Sequence, residues 1–101
     1  MIITRWQAPI IPSKQQVLMI LESEGMEPYE QTLEPAKKVG DHRKPFAEVR
    51  VIISGEMIFN VSGNQFVLRP GDRVEIPGNT RFSYVAQGGE PCVTVCAQRA
   101  I

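Results

Sequence analysis

Between Ser54 and Gly89 five turn signals interrupt the chain: Ser54-Gly55, Ser62-Gly63-Asn64, Pro70-Gly71-Asp72, Pro77-Gly78-Asn79 and Gly88-Gly89. No helix of ordinary length fits between them, and the intervening runs are rich in β-branched and aromatic residues, the composition of short strands. The pattern predicts strands at Tyr29–Leu33, Phe46–Ile53, Met57–Val61, Gln65–Leu68, Arg73–Ile76, Arg81–Val85 and Cys92–Cys96. Such short connections favour antiparallel neighbours. Seven strands in a chain of 101 residues leave exposed edges unless the sheet closes or doubles, so a small barrel or a sandwich is expected.

The first 28 residues differ in texture. Ser13 is followed three residues later by Gln16, the spacing at which both side chains satisfy free backbone N–H groups at a helix start. Val17, Leu18, Ile20, Leu21 and Glu24 follow at helical spacing, and Gly25 stands where a left-handed terminator is wanted. The expected helix is Lys14–Glu24, with an apolar stripe that packs on a sheet. The chain is thus expected to be one domain, with an N-terminal arm and helix over residues 1–28 and a β-barrel over 29–101.

Eleven basic and eleven acidic residues cancel to a net charge of zero. The basic footprint of a nucleic-acid or anionic-membrane binder is absent, and neutrality gives no protection against self-association. Met1–Pro12 lacks the apolar run of a signal peptide and no stretch approaches a membrane span, which reads as a cytoplasmic protein. Cys92 and Cys96 lie roughly 13 Å apart at strand rise, too far for a bridge. They are expected to be reduced, structural thiols. No Gly-rich phosphate loop, Ser/His/Asp arrangement or basic helix supports a kinase, hydrolase or DNA-reader reading.

Two spacings stand out. Glu48 is followed after six residues by Gly55, and Gly71 after five by Pro77, within the stretch Phe-x-Leu-x-Pro-Gly-Asp-x-Val-x-Ile-Pro from Phe66 to Pro77. Over Gly40 to about Val95 the sequence resembles the cupin superfamily. The resemblance implies a jelly-roll β-barrel of antiparallel strands, mainly β with one short N-terminal α-helix, whose two motifs face a shared cavity. In that family three His and one Glu hold a metal. Here His42 and Glu48 match, whereas Lys44 and Phe82 stand at the other two positions. An ammonium has no lone pair to offer and a phenyl ring none at any pH. No cofactor is therefore expected. A weak divalent ion (Mn, Fe, Ni or Zn) on His42 and Glu48, completed by water or substrate, is the alternative.

Strand alternation that turns Glu48 inward also turns Arg50 and Ile52 inward, and leaves Val49, Val51 and Ile53 on the outer face. Lys44, Glu48 and Arg50 in one cavity must pair with each other or with a ligand, because an isolated buried charge costs several kcal/mol. Lys44 or Arg50 either replaces the lost metal beside Glu48 or, with Arg81 if it turns in, receives a carboxylate or phosphate. Phe82 and Tyr84 share a face and form an aromatic wall.

The expected ligand-binding set is His42, Lys44, Glu48, Arg50, Phe82 and Tyr84. The favoured function is non-enzymatic binding of a small anionic or aromatic molecule. A metal-dependent or metal-free cupin enzyme of dioxygenase or isomerase/epimerase type and an interaction module with a filled pocket are the alternatives. The outer Val49, Val51 and Ile53 face needs a cover, either the N-terminal helix or a second copy, and a homodimer is expected. Trp6 either closes the barrel mouth or meets that copy.

Overall fold

The computed structural model describes residues 1–99, apart from the side chains of 41–43. In chain order the elements are β1 (Ile2–Thr4), α1 (Lys14–Ser23), β2 (Tyr29–Leu33), β3 (Lys38–Arg43), β4 (Ala47–Ser54), β5 (Glu56–Val61), β6 (Asn64–Leu68), β7 (Arg73–Ile76), β8 (Arg81–Gln87) and β9 (Cys92–Arg99). The strands form two antiparallel sheets, ordered β1-β7-β4-β9-β2 and β3-β8-β5-β6. Their inner faces enclose the main core, the jelly-roll arrangement that the resemblance implies.

All seven expected strands form, with ends moved by a few residues. Two more were not legible. β1 is only three residues long, too short for an alternation signal, and exists because β7 offers it an edge. β3 reads Lys-Val-Gly-Asp-His-Arg, polar and glycine-containing. It is held by pairing to β8, with a register irregularity between Val39 and His42.

Two glycines explain the motif spacing that sequence reading singled out. Gly55 has φ +77°, and a Cβ there would lie 2.4 Å from the Pro91 carbonyl oxygen. Gly71 has φ +94°, and a Cβ would meet the Trp6 side chain at 2.5 Å. Both positions combine a left-handed backbone with a close approach, which only glycine supplies without strain.

The capping box of α1 forms as expected: Gln16 N–H donates to Ser13 Oγ at 3.2 Å and Ser13 N–H to Gln16 Oε1 at 2.9 Å. The helix ends at Ser23, one residue earlier than expected, with Glu24 as its cap. Val17 and Leu21 are buried, but Ile20 is 47% exposed, so the apolar stripe is narrower than the sequence implies. Val17, Leu21 and Met26 pack with Val49, Val51, Val95 and Ala97, and Leu18 and Ile53 flank them. The outer face of β4 is thus covered by the chain's own helix. Arg73 fixes the helix end, its Nη1 and Nη2 each donating to a Glu24 oxygen at 2.8 Å.

The N-terminal arm is held by a second carboxylate. Asp72, itself buried, accepts from Trp6 N at 3.0 Å, Arg69 N at 2.9 Å and Arg5 Nη1 at 2.8 Å. Trp6 lies on Gly71 and its indole donates to the Ile10 carbonyl at 2.9 Å, which fixes it against the β6–β7 turn. Among the described residues no helix is long and apolar enough to cross a membrane.

Two outcomes follow for stability. Leu21→Ala opens a void under α1 and is expected to lower unfolding free energy by about 2–5 kcal/mol in urea titrations. The Asp72 carboxyl is held below its usual range: burial raises it, and the hydrogen bonds from Arg69, Trp6 and Arg5 outweigh that. The Glu24 carboxyl is held low chiefly by its hydrogen bond to Arg73. Depressed carboxylates stabilise the fold above their unfolded pKa, near 4, and lose that contribution as pH falls through the folded value. Denaturation midpoints are therefore expected to fall below about pH 4, with a shallower fall in Asp72→Asn.

Candidate functional site

Cross-strand register places the site at one end of the barrel. On the inner face of the five-stranded sheet, Tyr29, Cys96 and Arg50 lie in one row, with Gln98 and Glu48 in the row nearer the end and Gln31, Thr94 and Ile52 in the row deeper. Residues in register share a face of the sheet, so the polar side chains of β2, β4 and β9 converge. The apolar core occupies the remainder of the interior, from Ile52, Leu33 and Cys92 across to Met57, Leu68 and Ala86.

Glu48 and Arg50 are 1% and 2% exposed, and neither could stay charged there alone. Arg50 Nε donates to Glu48 Oε2 at 3.1 Å and Nη2 to Glu48 Oε1 at 3.4 Å. Nη2 also donates to the Tyr84 hydroxyl at 3.1 Å, and Nη1 to Gln31 Oε1. The guanidinium carbon stands 4.5 Å from the Tyr84 ring centroid, a cation–π contact that adds to the ion pair. Glu48 holds a second cation: Lys44 Nζ lies 3.0 Å from Oε1, and the Lys44 side chain remains 28% exposed. Two positive charges therefore share one carboxylate, and one of them reaches solvent.

Phe82 and Tyr84 share a face as expected, and with Phe59 they stack as part of the apolar core. Phe82 and Tyr84 have ring centroids 6.2 Å apart, and Phe59 stacks on both at 5.3 and 6.1 Å. Phe59 was missed because its strand carries no chemistry-bearing motif, although alternation on β5 turns it inward. Gln31, Thr94 and Cys96 were missed as well, and alternation on β2 and β9 was the available signal. Thr94 Oγ1 lies 3.3 Å from Cys96 Sγ, which is 3.8 Å from Gln31 Oε1.

Cys92 and Cys96 are both free and buried, as expected of structural thiols. Burial pushes Cys92 up to about 11, and burial also raises Cys96 despite the Arg50 charge beside it. Both stay protonated at neutral pH and offer no nucleophile.

Arg81 is exposed and does not turn in. The backbone of His42 pairs with that of Phe82, and the His42 side chain lies outside the described residues. Of the expected set, the structure brings Lys44, Glu48, Arg50 and Tyr84 into one bonded cluster and sets Phe82 beside Tyr84.

Among the described residues the donor set does not suit a divalent metal. Both Glu48 oxygens are engaged by cations, Lys44 would repel an incoming ion, and Phe82 supplies no donor atom. A cleft of about 410 Å³ lies alongside, lined by Gly25, Met26, Glu27, Tyr29 and Gln98. Gln98 is the cross-strand partner of Glu48, but none of Lys44, Glu48 and Arg50 lines this cleft.

Residues 29–97 match a family model described as a cupin domain. No curated protein matches the sequence. Solved structures of similar fold include the DMSP lyase DddQ from Ruegeria pomeroyi, 22% identical with a TM-score of 0.67 over 74% of this chain and 38% of the lyase. A cupin 2 domain-containing protein from Halorhodospira halophila is 19% identical with a TM-score of 0.69, covering 75% of this chain and 53% of that one. The Cupin_2 domain of an XRE family transcriptional regulator from Enterobacter cloacae is 21% identical with a TM-score of 0.64, covering 79% and 86%. At these identities the likeness is one of fold. The chain spans well under half the length of the lyase.

Removing Glu48 would leave Arg50 buried with its ionic partner gone. Glu48→Ala is expected to cost about 3–5 kcal/mol in denaturant titrations, and a Glu48→Leu, Arg50→Leu double variant to regain much of it. Lys44→Met, at the exposed end of the cluster, is expected to cost about 1 kcal/mol or less.

Proposed function

Because the chain belongs to the cupin domain family, we propose that it is a metal-free member that binds a small anion at the barrel end through Lys44. The observation that carries this reading is the charge arrangement: Lys44 and Arg50 share the single carboxylate of Glu48, and Lys44 is the partner that reaches solvent. Arg50 is spent on Glu48, Gln31 and Tyr84 and acts as a fixed element of positive potential. Lys44 has a flexible stem and one carboxylate oxygen to leave, so an incoming anion can share or take its ammonium. Phe46, whose ring centroid is 6.0 Å from Lys44 Nζ, gives the entry an apolar edge.

The same pairs support the metal-free reading, since the internal cations neutralise the carboxylate that a metal would need. The reading is of a binding module rather than an enzyme: the cluster's ionic groups hold one another, and the likeness to DMSP lyases is too distant to bring a reaction with it. Two buried thiols suit a reducing cytoplasm. The homodimer expectation now rests on other surfaces than the β4 face, namely Met19 and Ile20 on α1 and Ile10 and Ile11 in the arm, all of which are exposed.

The test is thermal denaturation with small carboxylates and phosphate against chloride at matched ionic strength. A bound anion at tenfold its dissociation constant is expected to raise Tm by roughly 6–11 °C, and Lys44→Met is expected to abolish the rise. If no anion moves Tm beyond the chloride control, the pocket is filled by its own ion pairs and the interaction-module reading takes over.

A further inference from the structure

A cleft of about 450 Å³ opens between the N-terminal arm and the β6–β7 turn. Arg5, Trp6 and Ile11 line it from the arm, and Arg69, Pro70 and Asp72 from the turn. None of Lys44, Glu48 and Arg50 lines it, so what it holds does not depend on the barrel end. Trp6, the single tryptophan of the chain, is fixed in advance. Its backbone N–H is held by Asp72, its indole N–H by the Ile10 carbonyl, and the base of its ring rests on Gly71. The residue nevertheless remains 39% exposed. An indole held this way can meet a flat ring without losing further freedom of its own.

Both arginines of the cleft have donors to spare. Arg5 commits Nη1 to the Val67 carbonyl at 2.6 Å and to Asp72 Oδ2 at 2.8 Å, which leaves Nε and Nη2 for another acceptor. Arg69 commits only Nε, to Glu56 Oε2 at 3.3 Å, and its side chain is 66% exposed. Glu56 does not line the cleft, so two guanidinium charges against the one Asp72 carboxylate leave it a single net positive charge. A monoanion satisfies that balance, and a planar one matches the paired N–H groups of a guanidinium edge. Ile11 and Pro70 add apolar surface beside the indole. We propose that the cleft binds a small aromatic monocarboxylate, its ring against Trp6 and its carboxylate on the spare N–H groups of Arg69 and Arg5. This is a second site, separate from the anion site at Lys44.

Because Trp6 is the chain's single tryptophan, its fluorescence reads the cleft directly. The full chain is titrated with phenylacetate at constant ionic strength, and acetate and benzyl alcohol, its charged and its aromatic halves, are titrated as competitors. Phenylacetate is expected to change Trp6 emission saturably and to bind roughly tenfold more tightly than either half. Arg69→Gln is expected to weaken it roughly tenfold. That variant keeps the Arg69 backbone N–H on Asp72, and an unliganded emission maximum equal to wild type shows that Trp6 is still seated. Lys44→Met separates the two sites and is expected to leave the titration unchanged. The inference fails if phenylacetate gives no saturable change, if acetate competes as strongly as phenylacetate binds, or if Arg69→Gln binds like wild type. It fails equally if Lys44→Met removes the signal, which would assign the carboxylate to the barrel end.

Discussion

Glu48 has 1% of its surface exposed, and the polar end of the barrel interior is arranged around the partners of its two carboxylate oxygens. One partner is Arg50, two residues along the same strand and therefore on the same face, which approaches both carboxylate oxygens. A buried guanidinium in turn needs acceptors for its remaining N–H groups. Gln31 and Tyr84 supply them from opposite sheets, so one ion pair fixes the relation of β2, β4 and β8. The consequence is a barrel with a gradient along its axis, ionic at the Glu48 end and apolar from Ile52 to Leu68. Buried pairs of this kind add little net stability, but breaking one is costly, which makes them fix an arrangement.

The same economy of charge recurs outside the barrel. Asp72 draws Arg5, Trp6 and Arg69 together and so ties the arm to the β6–β7 turn, while Glu24 and Arg73 fasten the end of α1. Arg99 and Glu75 extend that surface chain, with Arg99 Nη2 3.0 Å from Glu75 Oε1. Much of the charge in a chain of zero net charge is thus committed to internal fastening. Lys44 differs from Arg5, the exposed partner of buried Asp72, in that its acid is shared with a second, buried cation, and the proposed anion site rests on that.

The fold was legible because its signals are local. The turn at Gly71 demands a residue with φ +94° and no Cβ, and the capping box at Ser13 is written in two residues three apart. β1 and β3 were illegible for the opposite reason: neither has a pattern of its own, and both form by pairing with β7 and β8. In the site, alternation along β4 was enough to put Glu48 and Arg50 on one face. It did not reveal that Gln31, distant in sequence, would complete the guanidinium's contacts, because that depends on β2 and β4 both flanking β9. Arg81 was conditional on its turning in, and it stays exposed at the first position of its strand. The helix that covers Val49 and Val51 could be foreseen only as one of two choices, because an apolar sheet face does not say whether its cover comes from the same chain.

The central claim is that Lys44 and Arg50 supply the counter-charge that a metal supplies to the carboxylate of other cupins. Elemental analysis of untagged protein, joined to titration with Mn, Fe, Ni and Zn, tests this most directly. The account predicts no metal near stoichiometry in the wild type and no difference on His42→Ala. Stoichiometric metal that is lost in His42→Ala would contradict it and would mean that the ion displaces the lysine from Glu48.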